Sequence, residues 1–185
     1  MLNLLYQKLP DALVVDGTEY AIKTDFRDWI WFAELLENQE MMELEKACLA
    51  MQLFTERRPL NVAAAFCAFM DFAACKELPK TGITKPVQRN EPVFSFLYDS
   101  PYIYGAFLQA YGIDLCSTPY LHWYRFHALL TALPDCPLSE RIGIRSVRLS
   151  DVNDSRQRIQ IIKRQDAVRI PCAPMDAGAV GAQFD

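Results

Sequence analysis

Two histidines, His122 and His127, are the first residues to weigh for chemistry. They lie five apart, about 140° around a helix, and no Glu accompanies them in the His-Glu-x-x-His arrangement that holds zinc and supplies a base. Packing among aromatics, or a place on the rim, is the reading that fits them. Ser95, in Phe94-Ser95-Phe96, lacks the glycines that lift a hydrolase nucleophile onto its elbow. Gly178 and Gly181 are not followed by the Lys-Ser/Thr of a phosphate loop. The cysteines, at 48, 67, 75, 116, 136 and 172, form no Cys-x-x-Cys pair, which speaks against zinc. Reduced, buried, unreactive thiols in a reducing compartment are expected instead. Asp114 is expected to cap backbone N–H groups in a tight turn, with contact to a partner as the alternative. The chain therefore reads as a non-enzyme that needs no metal and no cofactor.

The elements that would position these residues are mainly helical. Asp16-Gly17 lies between Ala12–Val15 and Thr18–Ile22, a strong signal for a two-residue β-hairpin. Thr24 is expected to cap a helix from Asp25 to about Glu37, with Asp25 and Asp28 in the first turn where the helix dipole favours them. Phe26, Trp29, Ile30, Ala33 and Leu36 form its stripe. Trp31, Phe32 and Leu35 widen the apolar face, so this helix should be buried on more than one side or face a partner. Further helices are expected over Met41–Phe54 and from an Asn61 cap to about Glu77, the latter with Val62, Ala65, Phe66, Phe69, Met70 and Phe72 inward.

Residues 100–134 are dense in aromatics. Ser100-Pro101 reads as a cap with proline at the first helical position, and Gly112 as the stop. Thr118-Pro119 repeats the signal and should open a second helix to about Leu133, giving an αα-hairpin. Its expected buried stripe is Leu121, Tyr124 or Arg125, Ala128, Leu129 and Ala132. Phe94, Phe96, Leu97 and Tyr98 should dock on this hairpin. Ser139 is expected to cap a short helix to about Arg145, and Asp154 or Ser155 to open a basic helix to about Val168. The fold class is thus mainly α: an N-terminal β-hairpin, a multi-helix bundle, a basic C-terminal helix and a disordered tail. Residues 1–77 form the first unit, 78–92 a linker or long loop, and 93–170 the aromatic unit packed with the first. Residues 171–185 form the tail.

The chain has 185 residues, 51% of them apolar, enough to build a core. No apolar run reaches the length of a membrane span, and residues 1–15 do not read as a signal peptide. The overall charge of −4 argues against generic nucleic-acid binding. The charge is also split. Residues 1–58 hold 6 Lys/Arg and 11 Asp/Glu, whereas residues 139–170 hold 8 and 4. Either both are solvated helix faces, or the acidic N-terminal face meets the basic C-terminal helix, within one chain or head-to-tail between copies.

Tyr102-Ile103-Tyr104, Ala106-Phe107, Tyr111-Gly112-Ile113-Asp114-Leu115 and Leu121-His122-Trp123, with Phe126, Leu129, Leu130, Leu133 and Pro134, carry a resemblance. So do Thr24-Asp25-Phe26-Arg27-Asp28-Trp29-Ile30 and Ile142-Gly143-Ile144-Arg145 with Asp151. The chain resembles the "gene product fifteen" family of tailed phages and prophages of Gram-positive hosts over most of residues 12–170. Tyr124 and Ile144 depart from the usual Trp and Tyr but keep apolar bulk. The resemblance implies a siphophage tail assembly chaperone that binds the tape measure protein and major tail (tube) subunits, alone or beside a second tail assembly chaperone. It implies work in the host bacterial cytoplasm during assembly and absence from the mature virion. A minor tail or connector protein retained in the virion is the alternative. The residues expected to meet partners are Trp31, Phe32, Leu35, Tyr120, Trp123 and Tyr124, with Arg156, Lys163 and Arg164 on the basic helix available for partners or a homo-oligomer. No nucleic acid and no membrane partner is expected.

Overall fold

The computed structural model describes residues 1–79 and 92–171. The expected linker and tail therefore fall outside the described residues, apart from Leu78, Pro79, Pro92 and Pro171. The elements run β1 (Ala12–Val15), β2 (Thr18–Ala21), α1 (Phe26–Glu37), α2 (Glu43–Ala50), α3 (Val62–Ala73), α4 (Phe96–Tyr111), α5 (Trp123–Thr131), α6 (Pro137–Ser146) and α7 (Ser155–Ala167). Single 3-10 turns lie at Met51–Leu53 and Leu149–Asp151.

The hairpin forms as its sequence dictates. Ala12 pairs with Ala21 and Val15 with Thr18, and Asp16 and Gly17 turn the chain at φ values of 49° and 78°. Two positive φ angles in succession make the turn whose twist matches paired strands. The pairing runs on beyond β2, because Lys23 N–H donates to the Leu53 carbonyl at 2.8 Å and Thr55 N–H to that of Ala21 at 3.1 Å. β1 alternates as a half-covered strand should, with Val15 buried and Val14 exposed.

One continuous core joins residues from both sides of the 80–91 segment. Helix α1 supplies Phe26, Trp29, Phe32 and Leu35, all buried. Phe69 and Phe72 of α3 meet the Trp29 ring at centroid distances of 6.1 and 4.3 Å. Phe126 of α5 stacks on Phe26 at 4.8 Å and on Phe107 of α4 at 5.1 Å. The indole N–H groups of the two buried tryptophans, which would be costly to leave unpaired, are both satisfied. Trp29 donates to the Lys23 carbonyl at 2.9 Å and Trp123 to that of Ala73 at 3.0 Å.

Several helix starts differ from the local signals, each for a tertiary or side-chain reason. Asp25, not Thr24, caps α1 by accepting from Arg27 N–H at 3.0 Å, while the Thr24 hydroxyl is bonded to that of Tyr120 at 2.8 Å. Helix α2 starts at Glu43, later than Met41, and gives way to a 3-10 turn before Phe54. α3 keeps its Asn61 cap, whose amide oxygen accepts from Ala64 N–H at 3.1 Å, but ends at Ala73, and Met70 is exposed rather than inward. α4 begins after Ser95, so Pro101 lies inside the helix. Proline leaves the carbonyl four residues earlier without its donor, and the Ser100 hydroxyl takes that place, donating to Leu97 at 2.9 Å.

The helix expected from Thr118-Pro119 starts instead at Trp123. Residues 118–122 run alongside the start of α1: Phe26 N–H donates to the Leu121 carbonyl at 2.9 Å and Trp123 N–H to that of Thr24 at 2.8 Å. Those bonds outweigh a local cap. The buried side of α5 is Trp123, Tyr124 and Phe126, whereas Arg125 and Ala132 are exposed. α6 starts after Cys136, and Ser139 sits one turn inside it, accepting from Cys136 N–H at 2.9 Å. α7 starts after Asp154, which accepts from Arg156 N–H at 2.9 Å. Gly112 ends α4 in the left-handed conformation, and Asp114 caps Cys116 N–H at 2.9 Å, both as expected.

The thiols are corrected in part. Cys75 is buried, but Cys48, Cys67 and Cys116 are exposed. The positions of Cys48 and Cys67 on apolar-looking helices did not reveal which face each would take, and Cys116 lies in the turn between α4 and α5. Burial pushes the Cys75 thiol up to about 12, so it holds almost no thiolate at neutral pH. In the native protein, a thiol reagent at pH 8 should label Cys48, Cys67 and Cys116 and leave Cys75 unmodified until denaturant is added, as read by peptide mass mapping.

Candidate partner-binding surface

The groups that looked most chemical are committed to structure. His122 caps α5 with its ring: Nδ1 accepts from Tyr124 N–H at 3.0 Å, and Nε2 lies 3.0 Å from the Pro10 carbonyl. An acceptor at Nδ1 requires the proton on Nε2, so the geometry selects the neutral imidazole. Burial holds His122 below the ordinary histidine range against the opposing pull of the Pro10 carbonyl, and burial lowers His127 too. A lowered folded value means that the unfolded chain binds the proton more readily. Stability should therefore be whole above pH 6.5 and fall as pH drops below it toward the folded values. Thermal melts between pH 7.5 and 5 should show this loss, and His122→Asn should reduce it, leaving the share that His127 contributes.

A second polar group, buried and charged, is the feature that sequence reasoning missed. Asp99 of α4 is 0% exposed. Arg145 of α6 grips it with both terminal nitrogens, at 2.7 and 2.9 Å. Asp99 also accepts from Ser95 N–H at 3.2 Å and so caps its own helix from inside. The same guanidinium donates to the Val168 carbonyl at 2.6 Å and the Val93 carbonyl at 3.1 Å. Arg141 lies over the Tyr102 ring at 4.3 Å, its Nε 3.7 Å from Asp99. Beside this cluster the Ser95 hydroxyl donates to Glu37 at 3.1 Å, and burial, with the nearby Asp99 charge, pushes the Glu37 carboxyl up. One signal was available: Asp99 is a lone acid closing the apolar run Phe94–Tyr98. The arrangement is a brace that ties α4, α6 and the end of α7 together.

The residues expected to meet partners do not form one surface. Phe32, Leu35, Trp123 and Tyr124 are buried, so no partner reaches them on the folded domain. The expectation is corrected for these four, because α1 and α5 turn their widest apolar faces toward each other and toward α3. Trp31 is half-buried against the same core. Tyr120 is exposed, as are Arg156, Lys163 and Arg164. Arg27 links the first two regions. It lies one turn before Trp31 and donates to the carbonyls of Leu115 at 2.9 Å and Thr118 at 2.6 Å, just before Tyr120. The basic residues are elsewhere, on α7.

An open concavity lies in another place. A groove of about 1030 Å³ runs between residues 1–7, the end of α3 with Cys75 and Leu78, and His127, Ala128 and Thr131 of α5. Leu2 N–H donates to the Glu77 carbonyl at 2.7 Å and pins one end of this arm. Asn3 and Gln7 close a turn, through Gln7 N–H to the Asn3 carbonyl at 3.0 Å. That turn holds Leu5 and Tyr6 outward, 92% and 77% exposed. Sequence reading placed partner contacts at Trp31 and Tyr120 instead, because the arm has no periodicity to mark it.

A family model described as Bacteriophage Gp15 protein matches residues 5–170. The chain belongs to that family. The matched span holds the outward Leu5 and Tyr6, the Asp99–Arg145 brace and all of α7, whereas Met1 to Leu4 of the groove lie before it. The resemblance drawn from the aromatic block is thereby shown, and the protein is a phage protein. No curated protein and no solved structure matches it.

Proposed function

We propose that this phage protein is a tail assembly chaperone that binds the tape measure protein, and tail tube subunits in turn, during tail morphogenesis. It acts by binding and not as an enzyme. The observation that carries the reading is the groove beside α5, with Leu5 and Tyr6 held out at its edge. Large apolar side chains standing alone in solvent gain free energy only when something covers them. A long helical chain with an apolar face is suited to such a groove. Many copies along one such chain would give tight coating from weak single contacts, and arriving tube subunits could displace them one by one. His122, Asp99 and Ser95 are held in structural bonds, and the His127 ring packs on Trp123, which further supports a binding role. On this reading the protein works in the host cytoplasm and leaves the tail before the virion is complete.

Co-expression with the tape measure protein of the same genome tests it. Co-purification with rescued solubility of the tape measure protein is the expected result. Leu5→Ala with Tyr6→Ala should abolish capture while leaving melting nearly unchanged, since exposed substitutions usually cost within about 0.5 kcal/mol. Failure of capture, with the protein present in purified virions by mass spectrometry, would make it a structural tail component instead.

A further inference from the structure

Among the described residues, two outer faces of opposite charge are left uncovered. The first is on α2, which turns Lys46, Ala47 and Ala50 inward and Leu44, Glu45, Cys48 and Leu49 outward. Leu44 is 69% exposed, and Met42 just before the helix is exposed as well. Residues 34–46 carry five Glu and one Lys, and that Lys, at position 46, is turned in against Glu43 and the Leu36 carbonyl. The second face is on α7. Ile159 and Ile162, one turn apart, are exposed, and Arg156 and Lys163 flank them at helical spacing. Residues 155–169 carry five Lys/Arg and one Asp. Each face is thus a short apolar pair bordered by charge, acidic on one and basic on the other.

Within the chain these helices pack elsewhere: α2 on α1 and α3, α7 on α6. We infer that α7 of one copy docks on α2 of the next, so that the protein associates with itself head-to-tail. The two faces belong to different elements, so a copy that receives a neighbour at α2 still offers its own α7. Such a contact is heterologous and leaves both ends open for growth. Opposite charge sets the orientation, and like faces repel, which disfavours α2–α2 and α7–α7 pairing. A single helix pair covers less than the roughly 1,200 Å² of a stable interface, so the association is weak, reversible and dependent on concentration. The inference goes beyond the chaperone reading and does not rest on it, since it concerns the purified chain alone.

Sedimentation velocity of the full chain over a concentration series tests it. Species growing past the dimer are expected at ~50 mM salt, with the association constant falling roughly tenfold or more by ~500 mM as screening shortens. Arg156→Glu with Lys163→Glu should give a monomer that melts like the parent. Glu40→Gln with Leu44→Gln and Glu45→Gln should do the same from the other face. Mixed in equal amounts, the two variants should form a dimer and nothing larger, because only one contact remains intact. A chain that is monomeric throughout, growth that stops at the dimer in the parent, or association that ignores salt or either set of substitutions would overturn the inference. So would larger species that absorb at 260 nm and become monomers after nuclease treatment.

Discussion

Trp123→Ala is expected to remove about 3–5 kcal/mol of stability, the usual cost of deleting a large buried aromatic side chain. Trp123 is 3% exposed, and its ring lies among Trp29, Phe96, Phe126 and His127. Truncation opens a cavity where α5 meets α1 and the start of α4, and it leaves the Ala73 carbonyl without its indole donor. Domains of this size are commonly stable by only about 5–15 kcal/mol, so the variant should melt far below the parent or fail to fold. Chemical denaturation of both proteins gives the difference directly. Trp31→Ala is the control. That side chain is half-buried at the edge of the same core, so its loss should be clearly the smaller of the two. Equal losses would mean that the core extends out to Trp31.

The second large effect is expected at Arg145. Arg145→Met keeps length and removes the charge. It leaves the 0% exposed Asp99 with only the more distant Arg141, 3.7 Å away, and the Val93 and Val168 carbonyls lose their donor. Removing one partner of a buried pair costs about 3–5 kcal/mol. The cost lies in the orphaned charge more than in the lost attraction, so Asp99→Leu combined with Arg145→Met should be distinctly less damaging than the two separate losses added together. A double-mutant cycle in denaturant measures that coupling. In the single variant, amide exchange should rise at Val168 to Ile170, the segment that Arg145 holds. Additive losses would show that Asp99 and Arg145 are not one unit.

These two residues also mark how much the sequence could tell. Trp123 was conspicuous because its block was dense in aromatics, yet the same density made it look available to a partner. Burial of an aromatic helix depends on what packs against it, and here α1 and α3 close over it. Asp99 and Arg145 are 46 positions apart, and neither carries a local pattern that names the other. Arg145 was noticed only as the end of a short helix and as part of a family motif. The groove was hidden for a similar reason: residues 1–7 are positioned by a backbone bond to Glu77, a contact no short-range rule encodes.

By itself the sequence determined the mainly helical class, the hairpin at Asp16-Gly17, the Gly112 stop, the Asn61 cap, a basic helix opening at Asp154 or Ser155, and the family. Those features are set within a few residues, by φ preference, side-chain reach to the nearest free N–H and helical spacing. Only the tertiary structure decided where α4 and α5 begin, which aromatics are core and which polar groups are paired in the interior. In each case the deciding energy comes from groups far apart in the chain: the strand-like bonds between residues 118–122 and the start of α1, the stacking of Phe26 and Phe107 on Phe126, and a guanidinium that must follow Asp99 out of water.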